Sequence, residues 1–103
     1  MTKQLRITRL PNYSLRVPIV AEIERVKDNY GGVMFYADSS KVTGIDVAGQ
    51  GNTAFEALDD LARIIDKEYK FMTSQTKTTD LRGYARKLVE KVGHHILSER
   101  QAA

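Results

Sequence analysis

Between Val17 and Met72 the chain runs through three β-rich segments, a glycine-rich turn and one strongly patterned helix. The start of that helix has the spacing of a capping box, in which the Thr53 hydroxyl accepts from the Glu56 amide and the Glu56 carboxylate reaches back to the Thr53 amide. Apolar residues then recur at the spacing of a helix with one buried face. These residues are Leu58, Leu61, Ala62, Ile64, Ile65, Tyr69 and Met72. The pattern predicts a helix that covers one face of a sheet.

Four segments have the alternation, or the β-branched and aromatic content, that is typical of strands. They are residues 3–10, 16–27, 32–37 and 42–47. Polar turns separate them, and Gly49 and Gly51 end the last of them. The second segment has an alternative, because Ile19 and Ile23 also fit the spacing of a helix begun at Pro18. The turn and the strand-like segment that follow it favour a strand.

The C-terminal third predicts a linker and a second helix. Residues 73–79 are polar, which indicates a linker. Beyond them, apolar residues share one face of a helix at about residues 81–99. These are Leu81, Ala85, Leu88, Val92 and Ile96. Gly83 and Gly93 each weaken such a helix by about 1 kcal/mol relative to alanine, so the helix needs a surface to pack against.

Together these elements predict an α+β fold, with a three- or four-stranded antiparallel sheet covered by one helix and followed by a C-terminal helix. We divide the chain into an α+β domain with an N-terminal strand extension at residues 1–72, a linker at 73–79 and a basic amphipathic helix at 80–103. A length of 103 residues fits one small domain.

The composition excludes several classes of protein. The absence of cysteine excludes disulfides, zinc knuckles and thiol nucleophiles. No apolar run approaches the roughly 18 residues that a membrane span needs, and residues 1–9 lack the apolar centre of a secretory signal. We therefore expect a soluble cytoplasmic protein.

Charge is distributed unevenly along the chain, although the net charge is only +3. Residues 1–20 hold four bases and no acids, residues 21–72 hold six bases and ten acids, and residues 73–103 hold six bases and three acids. Such a pattern can be an ordinary solvated surface. It can also mean that both ends face an anion such as nucleic acid while the middle faces a basic partner.

This charge pattern gives two sets of candidate binding residues. The bases of the first strand and the last helix are candidates for phosphate contacts. They are Lys3, Arg6, Arg9, Arg82, Arg86, Lys87 and Lys91. The candidates for contact with a basic protein partner are four acids of the main helix, Glu56, Asp59, Asp60 and Asp66. We also expect a homodimer formed by the C-terminal helix, which would let two copies of the first strand enter DNA as a ribbon.

No pattern of catalytic or metal-binding residues stands out. Several aspartates could in principle hold a hard cation, but no two of them demonstrably converge. These are Asp38, Asp46, Asp59, Asp60 and Asp66. The histidines, His94 and His95, are adjacent, so at most one can face the body of the protein. No serine lies in a nucleophile elbow, and residues 49–51 are too short a glycine loop to cradle a nucleotide. We expect no enzymatic step, no metal and no cofactor.

One short stretch resembles a known family. Residues 51–57, Gly-Asn-Thr-Ala-Phe-Glu-Ala, are similar to the Gly-Asp-Thr-x-x-Glu-Ala turn and helix start of the HicB antitoxin family and its orphan HicB-like relatives. Residues 17–20 and 32–36 lie where that family has its opening strand and its glycine- and aromatic-rich second strand. Before its third strand the family commonly has Pro-Asp-x-Pro-Gly, where this chain has Ala-Asp-Ser-Ser-Lys at residues 37–41.

The resemblance implies a partial ribonuclease-H-like fold and a binding function. Members of the family dock against HicA, a small basic RNA-cleaving toxin, and many carry a separate DNA-binding segment that represses their own operon. For this chain it implies an antitoxin or an orphan transcriptional regulator that binds a protein partner through its acidic α+β domain and DNA through its basic termini. One alternative is a small protein inhibitor or accessory factor of a mobile genetic element, acting through protein contacts without binding nucleic acid. A third interpretation is an oligomeric scaffold.

Overall fold

A computed structural model describes residues 3–75 and 82–99 of the chain. Within them lie the strands β1 Lys3–Arg9, β2 Tyr13–Lys27, β3 Val33–Asp38, β4 Ala48–Gly51 and β5 Ile96–Glu99. The helices are α1 Ser40–Thr43, α2 Ala54–Gln75 and α3 Gly83–Gly93. The fold is α+β, with one antiparallel sheet, a helix packed against it and a C-terminal helix, and this confirms the predicted fold class.

The long strand β2 is the centre of the sheet. On one side it pairs with β1, where Ile7 lies opposite Ile19. On the other side the C-terminal half of β2 pairs with β3, and β4 completes the sheet beside β3. Ser14 of β2 pairs with Arg9 of β1 and with Ser98 of β5, so β5 lies on the side of β2 opposite to β1.

The prediction that residues 16–27 form a strand and not a helix is confirmed. The alternate residues Ile19, Ala21 and Ile23 are buried in the core, because a strand places every second side chain on the same face. Strand β1 ends one residue before the predicted end, and β2 begins three residues before its predicted start. Strand β3 is displaced by one residue from the predicted range.

The prediction of a strand at residues 42–47 is wrong. The short helix α1 occupies its start and ends at Gly44, which has a φ of 75°, and β4 begins only after the loop that follows. The buried Ser39 holds this loop, since its hydroxyl lies 2.7 Å from the Ile45 carbonyl oxygen and 3.1 Å from that of Val47. The Val47 carbonyl also accepts from the Ser39 amide at 3.2 Å, and the Ile45 carbonyl accepts from the Val47 amide at 2.9 Å, so these bonds close the segment as a loop. The apolar residues of the segment fill the core, where Ile45 is fully buried.

Gly49 and Gly51 both belong to β4, which ends at Gly51, and their lack of a side chain lets α2 approach closely. A Cβ atom at Gly49 would lie 2.4 Å from the Leu61 nitrogen and 2.7 Å from the Ala57 carbonyl oxygen. One at Gly51 would lie 2.6 Å from the Ala57 nitrogen. Side chains cannot pack at such distances, so both positions require glycine. The sheet and α2 thus meet backbone to backbone along β4.

Helix α2 begins and packs largely as predicted. The Thr53 hydroxyl accepts from the Glu56 amide at 3.1 Å. The Glu56 carboxylate accepts from the Asn52 amide at 2.9 Å, one residue before the predicted donor. The predicted apolar stripe faces the core, with Leu61 and Ile65 fully buried. The sequence pattern therefore identified both the start and the buried face of this helix.

Helix α2 is longer than the sequence predicts. It extends through Gln75 and so includes the start of the predicted linker at residues 73–79. The rest of that segment, together with residues 80–81 and 100–103 of the predicted C-terminal helix, lies outside the described residues. Neither α2 nor any other helix in the described parts of the chain is long and apolar enough to cross a membrane.

Helix α3 packs against the core, and its two glycines lie at its ends and not in its interior, with Gly83 at a φ of 59°. Its buried residues are Leu88, Val89 and Val92. It ends at Gly93, so the prediction that the helix continues to residue 99 is wrong. The chain instead returns to β2, where the Arg16 amide donates to the His95 carbonyl at 2.8 Å and the Arg16 guanidinium donates to the His94 carbonyl at 2.8 Å. These bonds lead the chain into β5.

Candidate functional site

Three of the four predicted partner-binding acids meet in one groove. It has a volume of about 380 Å³ and lies between β4 and the first half of α2. Glu56, Asp59 and Asp60 line its α2 side together with Arg63. A second groove of about 290 Å³ adjoins it and shares Gln50 and Asp60 with it. We call the two together the β4–α2 groove.

The β4–α2 groove also exposes apolar surface. Met34 lines the first part, and Tyr36 and Ile64 line the second. Tyr36 alternates along β3 with the buried Ala37, so it points away from the core and remains 39% exposed. The groove therefore combines carboxylates with apolar side chains that a partner could cover.

Two of the acids also complete the exposed edge of β4. The Asp60 carboxylate accepts from the Gln50 amide at 2.9 Å, and the Glu56 carboxylate accepts from the Asn52 amide just beyond the strand. An edge strand presents unpaired backbone groups, and these bonds satisfy two donors there. Asp59 is placed differently, since it forms an exposed ion pair with Arg63 at 3.0 Å. Asp59 thus differs from Glu56 and Asp60, whose carboxylates bond backbone amides.

The placement of Asp66 corrects its prediction as a partner-binding residue. Asp66 is only 3% exposed. Its carboxylate accepts from the Asn12 backbone amide at 2.7 Å and from the Asn12 side-chain amide at 2.6 Å. Asn12 lies in the turn between β1 and β2, so Asp66 ties that turn to α2. A carboxylate at this depth is stabilised by such hydrogen bonds.

The predicted phosphate-binding bases do not form one surface on a single chain. Lys3, Arg6 and Arg9 are exposed along β1. Lys91 of α3 instead lies near Gly44, in the loop after α1, where a Cβ atom would be 3.5 Å from the Lys91 Cε. Helix α3 also leads directly into β5, on the side of β2 opposite to β1. The chain thus presents a β1 patch and a separate α3 patch.

The α3 patch consists of Arg82, Arg86, Lys87 and Lys91, all of them exposed. Arg86 pairs with Glu90 at 3.1 Å in an exposed ion pair. Lys87 lines a cavity of about 410 Å³ between α3 and the loop that follows α1. The patch occupies the outer face of a helix whose inner face is buried in the core.

Tyr84 lies at the same cavity and is held by hydrogen bonds. Its hydroxyl lies 3.0 Å from the Glu68 carboxylate and 3.3 Å from the Asp46 carbonyl oxygen. Burial of the hydroxyl and the negative charge of Glu68 raise the pKa of Tyr84 from 10.0 to about 12. The hydroxyl is therefore a hydrogen-bond donor at neutral pH and links α2 to α3.

The two histidines are placed differently, since the His95 ring contacts the backbone of β2. The His95 ring Nδ1 lies 3.0 Å from the Val17 carbonyl oxygen, while His94 is exposed. Over residues 3–75 and 82–99, no group of three or more histidine or acidic side chains is placed to hold a metal ion.

The sequence analysis missed several residues of the β4–α2 groove. The sequence could have identified Arg63, because it follows Asp59 at the i,i+4 spacing of a helical ion pair. Gln50 and Tyr36 have no such signal. They join the groove through the pairing of β3 with β4, which places Tyr36 opposite Gln50.

Comparison with known proteins assigns the chain to no family. It matches no protein-family model, no curated protein and no solved structure. The resemblance to HicB-like proteins therefore rests on residues 17–20, 32–36 and 51–57 alone.

Proposed function

We propose that this chain is a cytoplasmic binding protein with no enzymatic step of its own, a HicB-like antitoxin or orphan regulator that takes a basic protein partner on the β4–α2 groove. The observation that carries the proposal is the convergence of Glu56, Asp59 and Asp60 beside the exposed Tyr36 and the half-buried Met34 and Ile64. Apolar surface bordered by charge is typical of protein interfaces. The resemblance adds the class of partner, a small basic toxin.

The charges of the groove favour a basic partner. Asp59 is bound only through an exposed pair with Arg63, in which 62% of the Asp59 side chain remains accessible. Exposed helical pairs of this kind contribute about 0.3–0.5 kcal/mol, so a lysine or arginine of a partner can replace Arg63 at little cost. Glu56 and Asp60 keep their bonds to backbone amides and still add negative charge to the groove.

The apolar part of the groove supplies area to bury. Met34 and Tyr36 of β3 and Ile64 of α2 line the two parts of the groove. Aromatic and methionine side chains are enriched at the centres of protein interfaces, where they are shielded from water by a polar rim. In this arrangement the acids form the rim and orient the partner.

A charge reversal at Asp59 tests the proposal. The tagged chain is purified from its native host, the co-purifying protein is identified, and binding of the purified pair is measured by calorimetry. Asp59→Lys should weaken binding by about tenfold or more, because it sets like charges against each other across the interface. The matched control is Glu90→Lys, since Glu90 forms the same kind of exposed i,i+4 ion pair with Arg86 on α3.

The Glu90→Lys variant should bind as the wild type does. Equal affinity of Asp59→Lys and the wild type, or an equal loss in both variants, would contradict a partner on the groove. The antitoxin assignment needs a further result, namely that the chain neutralises a toxic basic protein encoded beside its own gene. An accessory inhibitor of a mobile element requires no such neighbour.

DNA binding, within the same proposal, belongs to the α3 patch. Arg82 immediately precedes α3, and Arg86, Lys87 and Lys91 are exposed on it, so two patches in a homodimer could reach two half-sites. Replacing Arg82, Arg86 and Lys87 with alanine should lower the slope of log affinity against log salt by about 0.9 for each phosphate that the variant no longer neutralises. An unchanged slope would exclude DNA binding by this patch.

A further inference from the structure

We infer that the free edge of β1 is a docking site for an extended acidic peptide, which adds to the sheet as a strand beside β1. The inference goes beyond the proposed function, because the peptide has the opposite charge to the partner of the β4–α2 groove. It rests on an edge of β1 that pairs with no strand among residues 3–75 and 82–99, on bases along that edge and on an exposed phenylalanine beside it.

The sheet protects its edges unequally. Carboxylates of α2 satisfy backbone amides along β4, and β5 is only four residues long. Strand β1 has seven residues, and β2 is its only strand partner in the part of the chain that the structure describes. A long unpaired edge is a template for pairing with another chain, and proteins commonly block such edges. An edge that no described strand covers, opposite to one that is capped, is suited to strand addition.

The exposed side chains of β1 select for acidic residues. Lys3, Arg6 and Arg9 are all exposed, and the strand contains no acid. Side chains directly opposite each other on paired strands stabilise the pair when their charges differ and destabilise it when their charges are alike. A peptide that carries aspartate or glutamate at these positions is therefore favoured.

A groove beside β1 selects for an apolar residue next to the acidic ones. It has a volume of about 200 Å³ and lies between β1 and α2. Phe55, which is 76% exposed, and Leu58 line its α2 side, while Arg6 and Arg9 line its β1 side. Asp59 adds one negative charge at its rim. Lys3 and Arg6 lie on opposite faces of β1, since Lys3 pairs with the buried Ile23 and Arg6 pairs with Val20. A peptide with acidic residues opposite these bases and an apolar residue beside Phe55 satisfies both features.

Other occupants of this edge are less well matched. An antiparallel pair of β1 strands centred on Arg6 would set Arg6 against its own copy and Lys3 against Arg9, and like charges opposite each other are destabilising. Nucleic acid is attracted by the same bases, but phosphate contacts need no unpaired strand edge. The peptide-selection experiment distinguishes a second copy of β1 and nucleic acid from an acidic peptide.

Peptide selection tests the inference. A random peptide library displayed on phage is selected against the immobilised full chain, and enriched peptides are synthesised and titrated into isotope-labelled protein. We expect peptides that combine Asp or Glu with apolar residues and that shift the backbone amide signals of residues 3–9 and of Phe55. The double variant Arg6→Glu, Arg9→Glu should weaken binding by about tenfold or more. The matched control is Arg25→Glu, Lys27→Glu, since these are exposed bases of β2.

Asp59→Lys separates this inference from the proposed function, because Asp59 lines both grooves. The variant should bind the acidic peptide more tightly while it loses affinity for a basic partner. The inference is overturned by selection of no peptide or of basic peptides, or by equal binding to the Arg6→Glu, Arg9→Glu variant. It is also overturned if a DNA duplex, but no acidic peptide, shifts residues 3–9, or if sedimentation shows a dimer that this double variant dissociates.

Discussion

Replacing Gly49 by alanine tests the contact between β4 and α2 on which the β4–α2 groove depends. The new Cβ atom would lie 2.4 Å from the Leu61 nitrogen, 2.7 Å from the Ala57 carbonyl oxygen and 2.8 Å from the Leu61 Cα. All three are backbone atoms of α2, so no change of side-chain rotamer can relieve the overlap. The helix has to move away from the strand by about 1 Å, and a close-packed interior resists such a shift.

The structure sets the size of the effect. Overpacking costs about 1–3 kcal/mol, and contact with three backbone atoms places Gly49→Ala at the upper end of that range. Alanine returns about 0.4–1 kcal/mol by restricting the unfolded chain. The expected net loss in the free energy of unfolding is about 2 kcal/mol. For a domain of this size such a loss lowers the melting temperature by roughly 8–16 °C.

Urea denaturation followed by circular dichroism measures this loss, with the m-value as a check on two-state unfolding. The matched control is Gly93→Ala at the end of α3, where a Cβ atom would meet only the Tyr69 hydroxyl, at 3.8 Å. This variant should be as stable as the wild type or more stable by up to about 1 kcal/mol. A Gly49→Ala variant that unfolds within about 0.5 kcal/mol of the wild type, with an unchanged m-value, would refute the close contact.

Two further predictions concern polar groups that link the elements. Asp66→Ala removes the acceptor of both Asn12 amides and should lower the free energy of unfolding, measured by urea denaturation, by about 2–4 kcal/mol. Asp59→Ala, at an exposed site, should lower it by less than about 0.5 kcal/mol. Similar losses in the two variants would contradict the role of Asp66 as a buried hydrogen-bond acceptor. Because the folded pKa of Tyr84, about 12, exceeds its ordinary 10.0, the wild type should lose stability as the pH rises from about 10 to 12. Tyr84→Phe should lose less over that range, and identical pH profiles would refute the contribution of Tyr84.

The sequence predicts those parts of the fold that local signals determine. The capping box and the apolar stripe of α2 depend on residues a few positions apart, and the structure has both. The prediction of a strand at residues 42–47 is wrong because the apolar residues there resemble those of a strand. In the structure they belong to α1 and to a loop that is closed by bonds to Ser39. Strand β5 could not be predicted, since its partner in β2 lies far away in the sequence.

The same distinction applies to the β4–α2 groove. Glu56, Asp59 and Asp60 lie within two turns of one helix, so their proximity follows from the sequence. The burial of Asp66 does not, because it depends on Asn12, which is 54 residues away. Nor does the separation of the two basic patches, which follows from the pairing of β1 and β5 with opposite sides of β2.

The pairing of β5 with the start of β2 has a consequence during translation. Leu15 and its partner Ile96 are 81 positions apart, so at about 5–20 residues per second the ribosome needs roughly 4–16 s to supply the second after the first. All residues of β1 to β4 and of α2 have been synthesised by Gln75. The nascent chain can therefore form β1 to β4 and α2 early, while Tyr13 and Leu15 gain their strand partner only once β5 has been synthesised.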